Sequence, residues 1–216
     1  MAAVKRKRKY ESSLRRRQAE ETRVRILDAS ESLFAERGYA STTMTAIAEA
    51  AGVAPDTVYA TFSSKVGVLH RLLDARVGGD IEPVALADRP GPRAVLEEKD
   101  ARRLLNGFAE SVTEILERAA RVARILRGAA AADSEVAALL ATMESARFGN
   151  LGAVGGALQR LGSLRKGVDA RRATAVIWTL ASPDVHRLLR VERRWSRAEY
   201  SAWLADSLVR TLLERP

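Results

Sequence analysis

The sequence predicts an all-α protein with a small N-terminal three-helix domain and a larger helical C-terminal domain. Three observations lead there. Apolar residues recur at the 3.6-residue period, as in Ile26, Leu27, Ala29, Leu33 and Phe34. No stretch shows the strict alternation of a strand, and no internal repeat is present. Glycine and proline punctuate the chain at Gly38, Gly52 and Pro55, then densely from residue 78 to residue 92, which sets the segment lengths.

In chain order, the first helix covers about 22–37, with Gly38 as its C-cap candidate. STTMTAIAEAA (41–51) restarts a helix: Thr42 or Thr43 can cap it, and Ile47, Ala48 and Ala51 form a buried stripe before Gly52. After Val53 and Ala54, Pro55 stands at a first helical position, where its missing N–H costs nothing. This third helix, about 55–61, places Val58 and Phe62 inward at i and i+4 and leaves Pro55, Asp56, Thr57, Tyr59 and Ala60 outward. Ser64 caps a fourth helix with the stripe Leu69, Leu72, Leu73 and Val77, ending at Gly78 and Gly79. Pro83, Pro90, Gly91 and Pro92 then mark a surface loop and a domain boundary.

Asp100 opens a long helix through Leu104, Leu105, Phe108, Val112, Ile115 and Leu116, and Asp133 caps another over about 134–162. Asp169 caps a helix holding Ala173, Val176, Ile177 and Leu180, and Ser182 with Pro183 starts the next. Ser196 and Glu199 form a capping box that opens a last helix, about 197–213, with Tyr200, Trp203, Leu204, Leu208 and Leu212 on one face. GNLGAVGG places Gly149, Gly152, Gly155 and Gly156 inside the second long helix, each costing roughly 1 kcal/mol against alanine. Close helix approach and a helix soft enough to shift are both consistent with it. The chain divides into a basic arm (1–18), a first domain (19–77) and a second (78–216).

Composition narrows the function. At 216 residues and 47% hydrophobic, the chain can bury a real core. It has no cysteine, which excludes a disulfide framework and a thiolate nucleophile or metal site, and its two histidines, His70 and His186, are far apart. No metal, cofactor or catalytic constellation is therefore expected, and an all-helical enzyme has nothing to assemble it. No run reaches the roughly 18 apolar residues of a membrane span, and a cytoplasmic protein is expected.

Charge points to a polyanion. Residues 1–18 hold Lys5, Arg6, Lys7, Arg8, Lys9, Arg15, Arg16 and Arg17 against Glu11 alone, so +7 of the net +9 sits there. Such an arm releases counterions on binding phosphates, or is simply a solvated tail. A protein that binds nucleic acid without sequence preference, through this arm, is the alternative function.

Two short helices joined by a glycine-containing turn form a helix-turn-helix, whose second helix enters the major groove. A mere helical hairpin is the bland reading of the same pattern. LFAERGYASTTMTAIAEAAGVAPDTVYATFSSKVGVL, residues 33–69, resembles the DNA-binding domain of the TetR (tetracycline repressor) family: F-x-x-x-G-Y, T-T, I-A-x-x-A-G-V, T-x-Y, F and K-x-x-L follow in order. The resemblance implies that Thr43 and Thr45 lie near phosphate or a base, that Pro55, Asp56 and Thr57 face bases, and that Tyr59, Thr61 and Lys65 meet the DNA backbone. Thr61 stands where the family often has histidine, and Asp56 where small residues are common.

It further implies a ligand-responsive transcriptional regulator, most often a repressor. Such a protein binds double-stranded, palindromic operator DNA as a homodimer through the helices at about 170–181 and 197–213, and a small-molecule effector releases it. Candidate effector-lining residues are Leu104, Phe108, Ile115, Met143, Arg147, Phe148 and Trp178, for each of which core packing is the competing explanation.

Overall fold

The computed structural model describes residues 2–214, with side chains from Arg15 onward. The side chains of the Lys5–Lys9 cluster lie outside those described. Helices account for all the extended secondary structure among the described residues: α1 (Ala2–Arg37), α2 (Met44–Ala51), α3 (Pro55–Phe62), α4 (Lys65–Gly78), α5 (Pro90–Glu97), α6 (Ala101–Ala130), α7 (Ser134–Arg160), α8 (Ala170–Leu180), α9 (Pro183–His186) and α10 (Arg197–Leu212). A π-helical stretch, Arg187–Glu192, joins α9 to α10.

The cap chemistry sets most of these starts. Thr43, Ser64, Asp100, Asp133, Asp169 and Ser182 each accept a backbone N–H of the first turn they precede. Ser196 and Glu199 complete the reciprocal capping box. Two boundaries differ from the sequence reading. The arm and the first helix are one continuous element, Ala2–Arg37. The stretch read as loop up to residue 92 already contains α5, because Pro90 sits at the first helical position, where proline starts a helix rather than ending one.

Burial separates two cores. The first gathers α1 to α4 around Ile26, Ile47, Val58, Val68, Leu69 and Leu72. The second packs the start of α6 against the end of α7, α8 and α10, with Leu104, Leu158, Ile177, Tyr200 and Leu204 fully buried. Their border lies well past residue 78 in the chain. It runs through α6: Leu116 belongs to the second core, whereas Ala119, Val122 and Leu126 complete the first. α6 is thus built into both hydrophobic units, and so is α7, with Val136 in the first and Val154, Ala157 and Leu158 in the second.

The glycines of α7 have unequal reasons. A Cβ on Gly155 would stand 2.3 Å from Thr174 Oγ1 and 2.6 Å from Ala170 O, so α7 and α8 touch there only because the side chain is missing. At Gly149 and Gly152 nothing lies within 4 Å of the missing Cβ, and close packing does not account for them. Gly155→Ala should destabilise the protein by about 1–3 kcal/mol through overpacking, while Gly149→Ala should stabilise it by roughly 0.5–1 kcal/mol through helix propensity. Urea unfolding of the two variants reads both signs, and similar values at the two positions would refute the assignment.

His186 is 4% exposed, with Nε2 3.1 Å from Glu117 Oε1 on α6. Arg190 Nε donates to the same oxygen, and the Tyr200 ring meets the imidazole edge-on, with centroids 5.0 Å apart. Burial holds His186 below its ordinary value of 6.5 although Glu117 opposes this, and Glu117 is held low chiefly by Arg190. The unfolded chain then binds a proton that the native histidine resists, so this contribution is full above the ordinary imidazole value and is lost as pH falls below it. Urea midpoints measured from about pH 7.5 down to about pH 5 should decline, and His186→Phe should flatten that decline.

Candidate nucleic-acid interface

α2 and α3 meet through a turn that glycine makes possible. Gly52 adopts φ 64°, a left-handed conformation that closes α2, and Val53 N–H returns to Ala48 O at 3.0 Å. The two threonines ahead of α2 divide their roles. Thr42 is buried and donates to Gly38 O at 2.8 Å, whereas Thr43 Oγ1 accepts the Ala46 N–H at 3.1 Å. As an acceptor in that bond, Thr43 keeps its hydroxyl proton for an outside partner such as a phosphate.

α3 buries only Val58 and Phe62. Pro55, Asp56, Tyr59 and Ala60 are exposed, Tyr59 to 50%, and Thr57 is half-buried. Asp56, Tyr59 and Ala60, at i, i+3 and i+4, share one outer face. The Tyr59 hydroxyl has no protein partner among the described residues, so a flat ring with a free donor stands on the surface. Thr45 is exposed in the first turn of α2. Asp56 sits in the first turn of α3, where the helix end favours a carboxylate.

Two residues that the resemblance places on the DNA backbone are committed elsewhere. Thr61 Oγ1 donates to Thr57 O at 2.6 Å, which leaves only acceptor capacity, the wrong polarity for a phosphate. Lys65 Nζ donates to Tyr39 O at 2.9 Å and to Ala40 O at 3.4 Å, and lies 4.3 Å from the centre of the Tyr39 ring. It ties the α1–α2 turn to the α3–α4 turn. That second turn is tight: Ser63 has φ 61°, and a Cβ on Gly67 would lie 2.2 Å from Phe62 O. Lys65 therefore fixes the pose of α3 from behind.

The candidate effector residues do not converge on one packed cluster. Leu104 and Phe108 are buried in the second core, and Ile115 is half-buried on the same helix. Met143 packs instead against the first core and lines a cavity of about 460 Å³. Arg147, Phe148 and Trp178 do come together: Arg147 Nη1 donates to Trp178 O at 3.0 Å, its guanidinium lies 4.7 Å from the Trp178 ring centre, and Phe148 meets that ring edge-on at 6.4 Å. Burial pushes Arg147 below the ordinary guanidinium value, against the pull of Glu144.

Sequence reasoning missed the arginines that hold α4. Arg76 on α4 binds Asp28 at 2.7 Å and Glu31 at 2.6 Å, both on α1. Arg118, on α6, donates to the carbonyls of Arg76 at 3.3 Å and Val77 at 3.2 Å, at the end of α4. Arg89 pairs with Asp80 just beyond it. A cation in the last turn of α4 and glycine after it were the available signals, but the partners of Arg76 and Arg118 are 41 or more residues away in sequence.

α2, its turn and α3 have the geometry of a helix-turn-helix unit. Residues 26–72 match the family described as bacterial regulatory proteins, tetR family. The chain is similar to the HTH-type transcriptional regulator TtgR of Pseudomonas putida, 43% identical over 58 residues. That alignment covers 27% of this chain and spans only 28% of the relative's length. Among solved structures it is similar to NalD, the secondary repressor of the MexAB-OprM multidrug efflux pump in Pseudomonas aeruginosa, at TM-score 0.66 and 22% identity over 93% of this chain and 100% of that one. It is also similar to the transcriptional regulator FadR from Bacillus subtilis in complex with stearoyl-CoA, at TM-score 0.68 and 22% identity over 86% and 97%. These structures share the whole fold; the closer sequence match is confined to the helix-turn-helix region.

If Lys65 positions rather than binds, Lys65→Met should cost about 1–3 kcal/mol of stability, as expected for lost bonds to a charged donor. DNA affinity should fall while the slope of log affinity against log salt stays unchanged, whereas a phosphate-contacting lysine would lower that slope by about 0.9. Urea unfolding and a salt titration of DNA binding separate the two.

Proposed function

We propose that the protein is a ligand-responsive transcriptional repressor that binds a palindromic operator as a homodimer and leaves it when a small molecule binds the helical body. The observation that carries this is the outer face of α3, where Asp56, Tyr59 and Ala60 are exposed on a helix pinned by Val58, Phe62 and Lys65. A surface so firmly placed and so free of internal partners suits a groove. Tyr59 and Thr43 supply backbone donors, and Pro55, Asp56 and Thr57 stand nearest base edges, where a carboxylate can accept from a cytosine amino group. The basic residues ahead of α1's buried segment add a sequence-independent attraction.

One recognition helix reads only a few base pairs, so two related by a two-fold axis, roughly 34 Å apart, are needed for an operator. α8 and α10, which pack side by side, supply the dimer surface in this reading. Release then follows from linkage: an effector that binds better to a spacing unsuited to DNA weakens DNA binding, and DNA weakens the effector by the same factor. The path is α6, shared by both cores, and the Arg118 bonds to the end of α4.

The deciding experiment is binding of the purified protein to the intergenic DNA upstream of its own gene, against scrambled DNA of equal length, over a salt series. Selective binding by a dimer, weakened at least tenfold in Tyr59→Ala, is expected. Equal binding to both DNAs with the same steep salt slope would instead favour the non-specific reading based on the arm.

A further inference from the structure

We propose that the cavity between α1, α4, α7 and the 79–89 loop binds an amphipathic anion, an apolar chain or ring carrying one carboxylate. It is a different place from the Arg147–Trp178 cluster and from the second core. Its volume, about 460 Å³, lies in the range of small-molecule sites. The wall is largely apolar: Leu27 of α1, Val77 of α4, Met143 and Ala146 of α7, and Ile81 and Leu86 of the loop. Phe62, the last residue of the recognition helix, also lines it. An occupant would therefore touch both the helix-turn-helix unit and the body.

The sign of the ligand follows from which charges are already used. Two carboxylates line the cavity with partners in place: Asp74 is engaged by Arg71 at 3.3 Å and by His70 at 3.7 Å, and Asp80 accepts two bonds from Arg89. Arg23 of α1 lines the same cavity and has no carboxylate partner among the described residues. Arg89, whose guanidinium is taken up by Asp80 and Glu82 O, also lines it. Arg23 thus brings a positive charge without a carboxylate partner to a largely apolar space. Glu82, exposed on the loop, is the opposing charge. A cationic probe of equal length measures whether it outweighs Arg23.

The ligand's effect on DNA rests on the regulator reading above, but its binding does not, so binding is measured without DNA. Decanoate and decyltrimethylammonium, each below its micellar concentration, are titrated calorimetrically into the full chain. We expect saturable decanoate binding at one per chain, at least tenfold tighter than the cation. Arg23→Gln should weaken decanoate several-fold. Ala146→Trp and Val84→Trp, which fill the cavity from α7 and from the loop, should each weaken it at least tenfold, with thermal melts confirming that the variants fold. Unchanged decanoate affinity in the folded filled variants, or a cation bound as tightly as the anion, would overturn the proposal. A failure to bind operator DNA would count against the regulator and leave this result standing.

Discussion

The structure depends on α6 being one rigid helix buried in two places. Thirty residues at 1.5 Å each give a beam of about 45 Å. Leu104, Leu105 and Phe108 are buried in the body, and Val122 and Leu126 close the core beneath the helix-turn-helix unit. Arg118 leaves the helix where one core gives way to the other and reaches the last carbonyls of α4. Those carbonyls have no partner within their own helix and form its negative end, so a guanidinium there is favourable on both counts. Repacking around the first half of α6 cannot relax locally without moving the second half, and with it α4.

α3 shows why that linkage matters. Eight residues cannot sustain a helix in water, so α3 exists only as far as its surroundings impose it. Val58 and Phe62 bury one side, Gly52 sets its entry, and Lys65 ties its exit to the carbonyls of Tyr39 and Ala40. What remains outside is polar or small, apart from the Tyr59 ring. A helix fixed by three neighbours follows their motion as a body, so a change at α4 would carry α3 with it without unfolding it.

Local signals explain how much of this was legible in the sequence. Caps are chemistry within three residues, so Asp100, Asp133, Asp169 and the Ser196–Glu199 box marked helix starts correctly. The inward pair of α3 was equally clear, because i and i+4 are neighbours on any helix. Proline misled at Pro90, since it serves a turn and a first helical position alike. Pairings across long separations were invisible: Arg118 to α4, Arg76 to α1, and the division of α6 between two cores. The internal bonds of Lys65 were invisible for the same reason, its partners lying 25 and 26 residues earlier. The effector candidates were chosen for apolar character, which core and cavity walls share, and so Leu104 fell in the packed interior while Met143 faces the cavity.

α7 joins these threads. Thr142, Met143, Ala146 and Asn150 present one face of it to the cavity beside α4, and Gly155 seats it against Ala170 and Thr174 of α8. Between the two contacts lie Gly149 and Gly152, with no neighbour to reward their lack of a side chain. Each lowers the intrinsic helix stability of the stretch by roughly 1 kcal/mol relative to alanine. The segment most easily bent therefore lies between the wall of the cavity and the seat on α8. If α8 belongs to the dimer surface, a shift of the cavity wall is absorbed in α7 before it disturbs that surface. α4, by contrast, is tied at its end to α6 through the Arg118 bonds to the carbonyls of Arg76 and Val77.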